Sequence, residues 1–397
     1  MSETQVFPQE GRPLTAEEIL KNARDLKLWI RERADDIEAA RQLPRDVVDR
    51  LLEAGVFRMM MPKSWGGPEM TSMQQNEVIE ELSRADGSVG WCVMIGCDTG
   101  FFSGYLDDNV ARQMYPKLDM IQAAWLEPVG QAHRVTGGYR VSGHWRFGSG
   151  CTHSDWLSAA CRVYENGKLV IGPNDQPIWR VMTARPDEYE ILDTWYTTGL
   201  RGSGSNDYLC CNLFVPDERT FSFSEPAKRE GLLWRRPDTL LRKMPGVPLG
   251  IARDAIDAVR DICAKKCDHV TNVRYSDIPR VQLAISKAEM LLGAARAYVY
   301  NSLERYWERL EADSDPTPEE RAACWLARAN AFQSARKVIQ LMYDTLGSSA
   351  IYFQKSPLDR HLRDIYTICQ HSIAQEKRLE PLGMLLLGTE PPGEGFL

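Results

Sequence analysis

The stretch Gly143-His144-Trp145-Arg146-Phe147-Gly148-Ser149-Gly150-Cys151, closed by Asp155-Trp156, carries the densest chemistry in the chain. It has the pattern of a strand that ends in small residues and is flanked by aromatics. Small residues let a flat ligand approach the backbone. An aromatic and a hydroxyl two residues apart share one face of a strand. Strict alternation therefore puts Trp145, Phe147 and Ser149 together. A flat ring can pack on the aromatic while the hydroxyl hydrogen-bonds its edge. A flavin isoalloxazine has those needs, and further motifs are required to establish one.

A second loop, Gly199-Leu200-Arg201-Gly202-Ser203-Gly204-Ser205-Asn206, is rich in glycine and hydroxyls. It does not lie between a strand and a helix of a βαβ unit, so it is no dinucleotide fingerprint. It reads as a tight loop near a ligand, with Ser203 and Ser205 as candidate substrate contacts. Cys263 and Cys267 stand four apart on an expected helix. Two packed thiols are favoured there over half a metal site, and no metal is expected.

The elements that position these residues fall into three blocks. Thr15-Ala16-Glu17-Glu18 is a capping box opening a long charged helix that ends near Leu43-Pro44. A second helix spans about Arg45 to Ala54, with Gly55 as its stop. Met73 to Ser83 is helical, and Val89 to Tyr105 is apolar nearly all round, so it is expected to be buried. From about Met120 to Ser224 the period changes. Tyr139 to Gly143, Trp156 to Val163, Pro177 to Ala184 and Tyr208 to Val215 are short, aromatic or β-branched segments, with an Asn166-Gly167 turn signal between two of them. An antiparallel β domain is expected. Gly246 to Lys266, Pro279 to Leu310 and Glu319 to Leu346 are long amphipathic helices, two of them joined by the acidic Asp313 to Pro318 turn. The expected domains are 1–119, 120–228 and 229–397.

The 397 residues are enough for a large core. A net charge of −7 favours neither nucleic acid nor an anionic membrane surface. No apolar run is long enough to span a bilayer, and Met1 to Thr15 carries no secretory core. Ten cysteines without a CxxC pair suggest reduced thiols and a cytoplasmic location. Eleven tryptophans leave several available for an aromatic pocket.

In order along the chain, these residues resemble the acyl-CoA dehydrogenase superfamily. Phe57 to Gly67 is similar to its "P…(Y/W)GG" loop, Leu126-Glu127-Pro128 to its "TEP", and Gly143 to Gly150 to its "GxKxWITN" strand. Gly199 to Asn206 with Val215-Pro216 resembles its "GlRgS…VP", and Arg363-Asp364 its late "RD". Trp125 before Leu126, Ser149-Gly150-Cys151, and His371 eight residues after Arg363 resemble one branch, the oxygenase components of two-component aromatic hydroxylases. The resemblance implies an α+β acyl-CoA dehydrogenase-like fold with an N-terminal helical domain, a central antiparallel β domain and a C-terminal four-helix bundle. It implies a homotetramer, a reduced flavin (FMN or FAD) made by a separate flavin reductase, O2, and a small aromatic substrate such as a phenol or indole. The oxygen would pass through a flavin C4a-hydroperoxide.

The departures sharpen this. The dehydrogenases carry a carboxylate base after the late "RD", or on a helix opening the third block. Here those stretches read Ile368-Cys369-Gln370-His371-Ser372 and Leu240-Leu241-Arg242, without an acid. An FAD-dependent acyl-CoA dehydrogenase with a displaced base, Glu376, is the alternative. Gly347-Ser348-Ser349-Ala350 departs from the glycine pair that meets the adenine half of FAD, which leaves FMN and FAD both open.

Residue roles follow from the resemblance. Ser149 falls near flavin N5. Phe147 falls at the ring-packing aromatic, a place that Trp145 or Trp156 can also fill. Trp125 and Leu126 fall beside the flavin ring, and Arg274 suits its phosphate. His371 is the leading catalytic candidate, since an imidazole with an ordinary pKa near 6.5 can donate to a peroxide or take a substrate proton. His133, eight residues after Trp125, is a candidate substrate contact, ahead of His144 and His153. Arg363 and Asp364 are expected to form a structural ion pair.

Overall fold

The capping box predicted at Thr15 forms: its hydroxyl accepts from the Glu18 amide at 3.2 Å, and the Glu18 carboxylate accepts from the Thr15 amide at 2.9 Å. It opens helix α1 (Ala16–Glu32) in a computed structural model that describes residues 13–172, 175–352 and 355–389. Residues 1–12 of the polar amino-terminal stretch lie outside the described residues. The single long helix expected up to Leu43 is instead two, α1 and α2 (Ala34–Ala40), ending where Arg41 turns left-handed at φ +53°. Helix α3 (Arg45–Ala54) stops on Gly55 at φ +75°, as the glycine predicts.

Helices α4 (Ser72–Ala85), α5 (Gly87–Gly96), α6 (Thr99–Ser103) and α7 (Asp108–Met114) complete the first layer. The apolar segment Val89 to Tyr105, expected as one buried helix, is divided between α5 and α6, and nearly every residue of it is buried. Asp86 caps α5, accepting from the Ser88 and Val89 amides at 2.8 and 3.1 Å.

The middle layer is one sheet: β1 (Gln122–Val135), β2 (Gly138–Gly148), β3 (Trp156–Glu165), β4 (Lys168–Leu169), β5 (Trp179–Ala184), β6 (Glu190–Leu192), β7 (Asn206–Pro216) and β8 (Thr220–Phe221). The strand order is β6-β7-β2-β1-β3-β5-β8, with β4 on β3. Asn166-Gly167 makes the β3–β4 turn with both residues at positive φ. The expectation of a wholly antiparallel sheet needs correcting at one ladder, because β1 and β3 pair in parallel. The β1–β2 hairpin returns the chain to the start of β1. Residues 149–155 then cross over that end, and β3 enters on the other edge in the direction of β1. The crossover is the segment that holds Ser149.

The third layer holds α8 (Thr239–Arg242), α9 (Gly246–Cys263), α10 (Pro279–Glu311), α11 (Pro318–Leu346), α12 (Leu358–Ile368) and α13 (Leu379–Leu386). Helices α9 to α12 pack as a four-helix bundle, and α9 also lies along α4. The fold is α+β, with helical layers before and after a central sheet in chain order, as the resemblance implies. One continuous core joins the two helical layers, and a second fills the sheet.

Candidate active site

The alternation expected across Trp145, Phe147 and Ser149 fails, and its failure builds the site. The β2–β7 register shifts between Trp145 and Gly148, an irregularity of the kind that re-aims side chains. Trp145 turns into the sheet core, fully buried, with its indole donating to the Ala160 carbonyl at 3.0 Å. Gly130 and Gly143 make room for it: a Cβ on either would come within 2.3 or 2.7 Å of its ring. Gly143 thus serves a core tryptophan rather than a ligand. Phe147 points the other way, 52% exposed, with its backbone left-handed at φ +55°. That conformation is strained for a bulky residue and marks places where function overrules local preference. Trp156, the other substitute considered, is buried and bonded to the Met114 carbonyl.

Phe147 stands in an open aromatic bay. Trp125 of β1 lies 5.5 Å from it with planes inclined by 36°, and Trp195 lies 6.1 Å away, edge-on. Leu126 is half-buried beside Trp125, where the β1–β3 register breaks between Trp125 and Gly130. Pro128 sits inside that break and cannot donate to a ladder. Two residues on from Phe147, whose carbonyl accepts from the Ser149 amide at 2.8 Å, a row of buried hydroxyls starts. The Trp91 indole donates to Ser149 Oγ at 2.9 Å; Ser149 and Ser205 lie 2.8 Å apart, Ser205 and Ser203 2.7 Å, and Ser203 Oγ donates to the Leu200 carbonyl at 2.7 Å. Ser203 and Ser205 are buried with their hydroxyls committed. Neither side chain is accessible, so this geometry gives no support to their expected role as substrate contacts.

His371 joins from the bundle. It caps the 3-10 turn Ser372–Ala374, and its ring meets Trp91 edge to face at 5.6 Å. Removal from water, helped by the charges of Arg328 and Arg378, pushes its pKa down to about 4. Its Nδ1 accepts from the Ile373 amide at 3.3 Å. The neutral ring therefore carries its proton on Nε2, a hydrogen-bond donor at working pH. Arg328 is a buried guanidinium of α11 whose Nη1 donates to the Leu241 carbonyl at 3.3 Å.

Arg363 and Asp364 do not pair with each other, contrary to expectation. Successive residues of a helix point in different directions. Arg363 pairs with Glu38 and Asp359 and donates to the Thr198 carbonyl at 2.8 Å. Asp364 turns inward and accepts from the Leu200 amide at 2.6 Å. Burial and the neighbouring Asp86 raise its pKa to about 7. This bond clamps the Gly199–Asn206 loop to α12, and Gly199 allows it, since a Cβ there would sit 2.1 Å from the Arg363 carbonyl.

Other candidates fall outside the bay. His133 stacks on Tyr164 at 4.9 Å near the far end of β1, roughly 25 Å of strand from Trp125. Arg274 is exposed on the turn that precedes α10. Glu376 is exposed in the 3-10 turn Glu376–Arg378. His144 pairs with Asp207 at 2.8 Å, and His153 is depressed to about 4 by burial. Cys263 is buried and Cys267 exposed, both unpaired. Among the described residues no cluster of three or more His, Cys, Asp or Glu is arranged to hold a metal, and no helix is long and apolar enough to cross a membrane.

Sequence reasoning missed Trp91, Trp195 and Arg328. Trp91 is hidden in a helix that reads only as buried. Its signal is an indole N–H on such a helix, which must find an acceptor across the interface.

Residues 15–109 match the acyl-CoA dehydrogenase N-terminal domain, and residues 245–376 match the acyl-CoA dehydrogenase C-terminal domain. The chain belongs to the acyl-CoA dehydrogenase superfamily. Its full-length relatives include the indole-3-acetate monooxygenases of Pseudomonas putida, 29% identical over 95% of this chain and 94% of the relative, and of Acinetobacter baumannii, 28% identical over 92% and 93%. The crystal structure of the HsaA monooxygenase from M. tuberculosis superposes with a TM-score of 0.88 at 25% identity, covering 97% of this chain and all of that one. Within the fold, these relatives are monooxygenases rather than thioester dehydrogenases.

Proposed function

We propose that this chain is the oxygenase component of a two-component flavin-dependent monooxygenase that hydroxylates a small aromatic molecule such as an indole or a phenol. The reduced flavin, FMN or FAD, comes from a separate reductase. The observation that carries the reading is the bay itself: a strained, half-exposed Phe147 between two tryptophans, joined through the adjoining Ser149 and Trp91 to a neutral histidine. The bay fits a flavin ring on those grounds, because flat aromatic walls and a hydrogen-bonding edge are what the ring requires.

When bound, the reduced flavin supplies the electrons that let one atom of O2 enter the substrate while the other leaves as water. The residues of this chain bind and orient. Trp125 and Phe147 hold the ring plane, Leu126 covers one end, and Ser149 fixes the N5 edge. His371 offers its Nε2 proton to oxygen chemistry at that edge, or receives a proton there once Nε2 has given one up. Buried indoles and the bundle keep water away from the reacting atoms. Arg274, exposed, is assigned to the flavin phosphate. A homotetramer packed through α10 is the proposed assembly, supported by Leu283 and Met290, both exposed and apolar on that helix. Ten unpaired cysteines accord with a cytoplasmic enzyme.

The test supplies chemically reduced FMN and FAD, with O2 and a panel of indoles and phenols, and follows product by mass spectrometry. An oxygenated aromatic formed only with reduced flavin supports the reading. Flavin oxidation with no oxygenated product from any aromatic contradicts it. The displaced-base dehydrogenase reading is set aside, since its base, Glu376, faces solvent and the relatives are monooxygenases.

A further inference from the structure

The buried hydroxyls that start at Ser149 have a fixed direction. The Trp91 indole can only donate, and the Leu200 carbonyl can only accept. Ser203 spends its one proton on Leu200, at 2.7 Å. In the 2.7 Å contact between Ser203 and Ser205, the proton must therefore come from Ser205. Ser205 then has none left, so the 2.8 Å contact with Ser149 takes the proton of Ser149. Ser149 also accepts from Trp91 at 2.9 Å. It is left with one lone pair and no proton to offer. All four side chains are buried, so water does not reset the order.

We propose that this relay makes Ser149 an obligate acceptor, and that Ser203 and Ser205 thereby set the redox-state preference of the flavin site. The inference rests on the reading that Ser149 meets flavin N5. Reduced flavin carries a hydrogen on N5 and donates to Ser149. Oxidised flavin has a bare N5, which meets a lone pair instead. The site thus binds the form that the reductase delivers and releases the form left after turnover. Ser203 and Ser205 act as positioning residues, through Ser149, without touching the ring.

The test is the affinity of the full-length protein for oxidised and for dithionite-reduced FMN and FAD, with the midpoint potential of the bound flavin as a second readout. Ser205→Ala and Ser203→Ala each free the Ser149 proton to point at N5. Oxidised flavin then binds more tightly, and the ratio of oxidised to reduced dissociation constants falls about tenfold. That corresponds to a potential lower by about 30 mV for a two-electron couple. Ser205→Thr keeps the hydroxyl and restores the ratio. Trp91→Phe removes a donor to Ser149 without freeing its proton, so the ratio does not fall. If Ser205→Ala and Ser203→Ala change both affinities by one common factor, the relay inference is wrong while the flavin reading stands. If Ser149→Ala leaves both affinities at the wild-type value, Ser149 does not meet the ring, and both ideas fail.

Discussion

Trp91 and His371 meet edge to face with ring centroids 5.6 Å apart, and the same indole donates to Ser149 at 2.9 Å. One buried tryptophan therefore joins the hydroxyl from the sheet to the histidine from the bundle. The two groups expected to do chemistry come from separate loops, the crossover after β2 and the turn after α12, and both are held against one helix, α5.

Ser149→Ala removes the acceptor at the N5 edge. Oxygen consumption continues, but product formed per O2 falls about 3- to 10-fold, the worth of one such hydrogen bond, and hydrogen peroxide rises to match. Product and peroxide measured per O2 consumed check this. The variant also strands the Trp91 indole in the core and loses about 1–3 kcal/mol of stability.

His371, depressed to about 4, is neutral from pH 5.5 to 8. Product formation then shows no inflection from this residue across that range. His371→Ala lowers the product-forming rate by roughly 100-fold, with the affinity for reduced flavin unchanged. Because the charge of Arg328 helps to hold the pKa down, Arg328→Gln moves the His371 titration upward, read by NMR of labelled histidines. A wild-type inflection near pH 6.5 that vanishes in His371→Ala would contradict the assignment.

Phe147 separates stability from function. Its left-handed backbone costs about 1–2 kcal/mol that glycine does not incur. Phe147→Gly therefore leaves the melting temperature unchanged or raised, despite the loss of a large aromatic ring. The same variant weakens flavin binding by about tenfold or more, the worth of a ring-packing contact. Calorimetry and flavin titration on one sample decide the matter.

Asp364 gives a pH signature. Its folded pKa of about 7 lies above the ordinary carboxylate value, so the folded state binds the extra proton. Stability from this group is present at low pH and is lost as pH rises from about 4 to 7. Asp364→Asn keeps an acceptor for the Leu200 amide and carries no titrating proton. The stability of Asp364→Asn relative to wild type should rise from pH 5 to pH 7.5 and level off above it. A difference independent of pH would contradict the account.

Much of the architecture was legible because local signals agreed with the fold. The Thr15 capping box, the Gly55 stop, the Asn166-Gly167 turn and the three long amphipathic patterns all stand where their residues put them. The geometry of the candidate site was not legible. Period-2 alternation placed Trp145 with Phe147, and a register shift that no local pattern announces sent them to opposite faces. Adjacency suggested that Arg363 bonds Asp364, while the helix directs one to Glu38 and the other to Leu200. Ser203 and Ser205 were read as ligand contacts from a glycine- and hydroxyl-rich loop, and only the fold shows that their hydroxyls bond to one another and to Ser149. Trp91 and Arg328 come to the site from elements whose patterns report burial alone.

The central claim is that this scaffold delivers oxygen to an aromatic ring and does not take hydride from a thioester. The most direct measurement is a single turnover of the protein loaded with reduced flavin, mixed with 18O2 and indole or a phenol, in parallel with anaerobic exposure of the oxidised-flavin protein to an acyl-CoA. The account predicts one 18O atom in the aromatic product and no bleaching by the thioester. Label found only in hydrogen peroxide or water, together with flavin bleached by acyl-CoA, would contradict it.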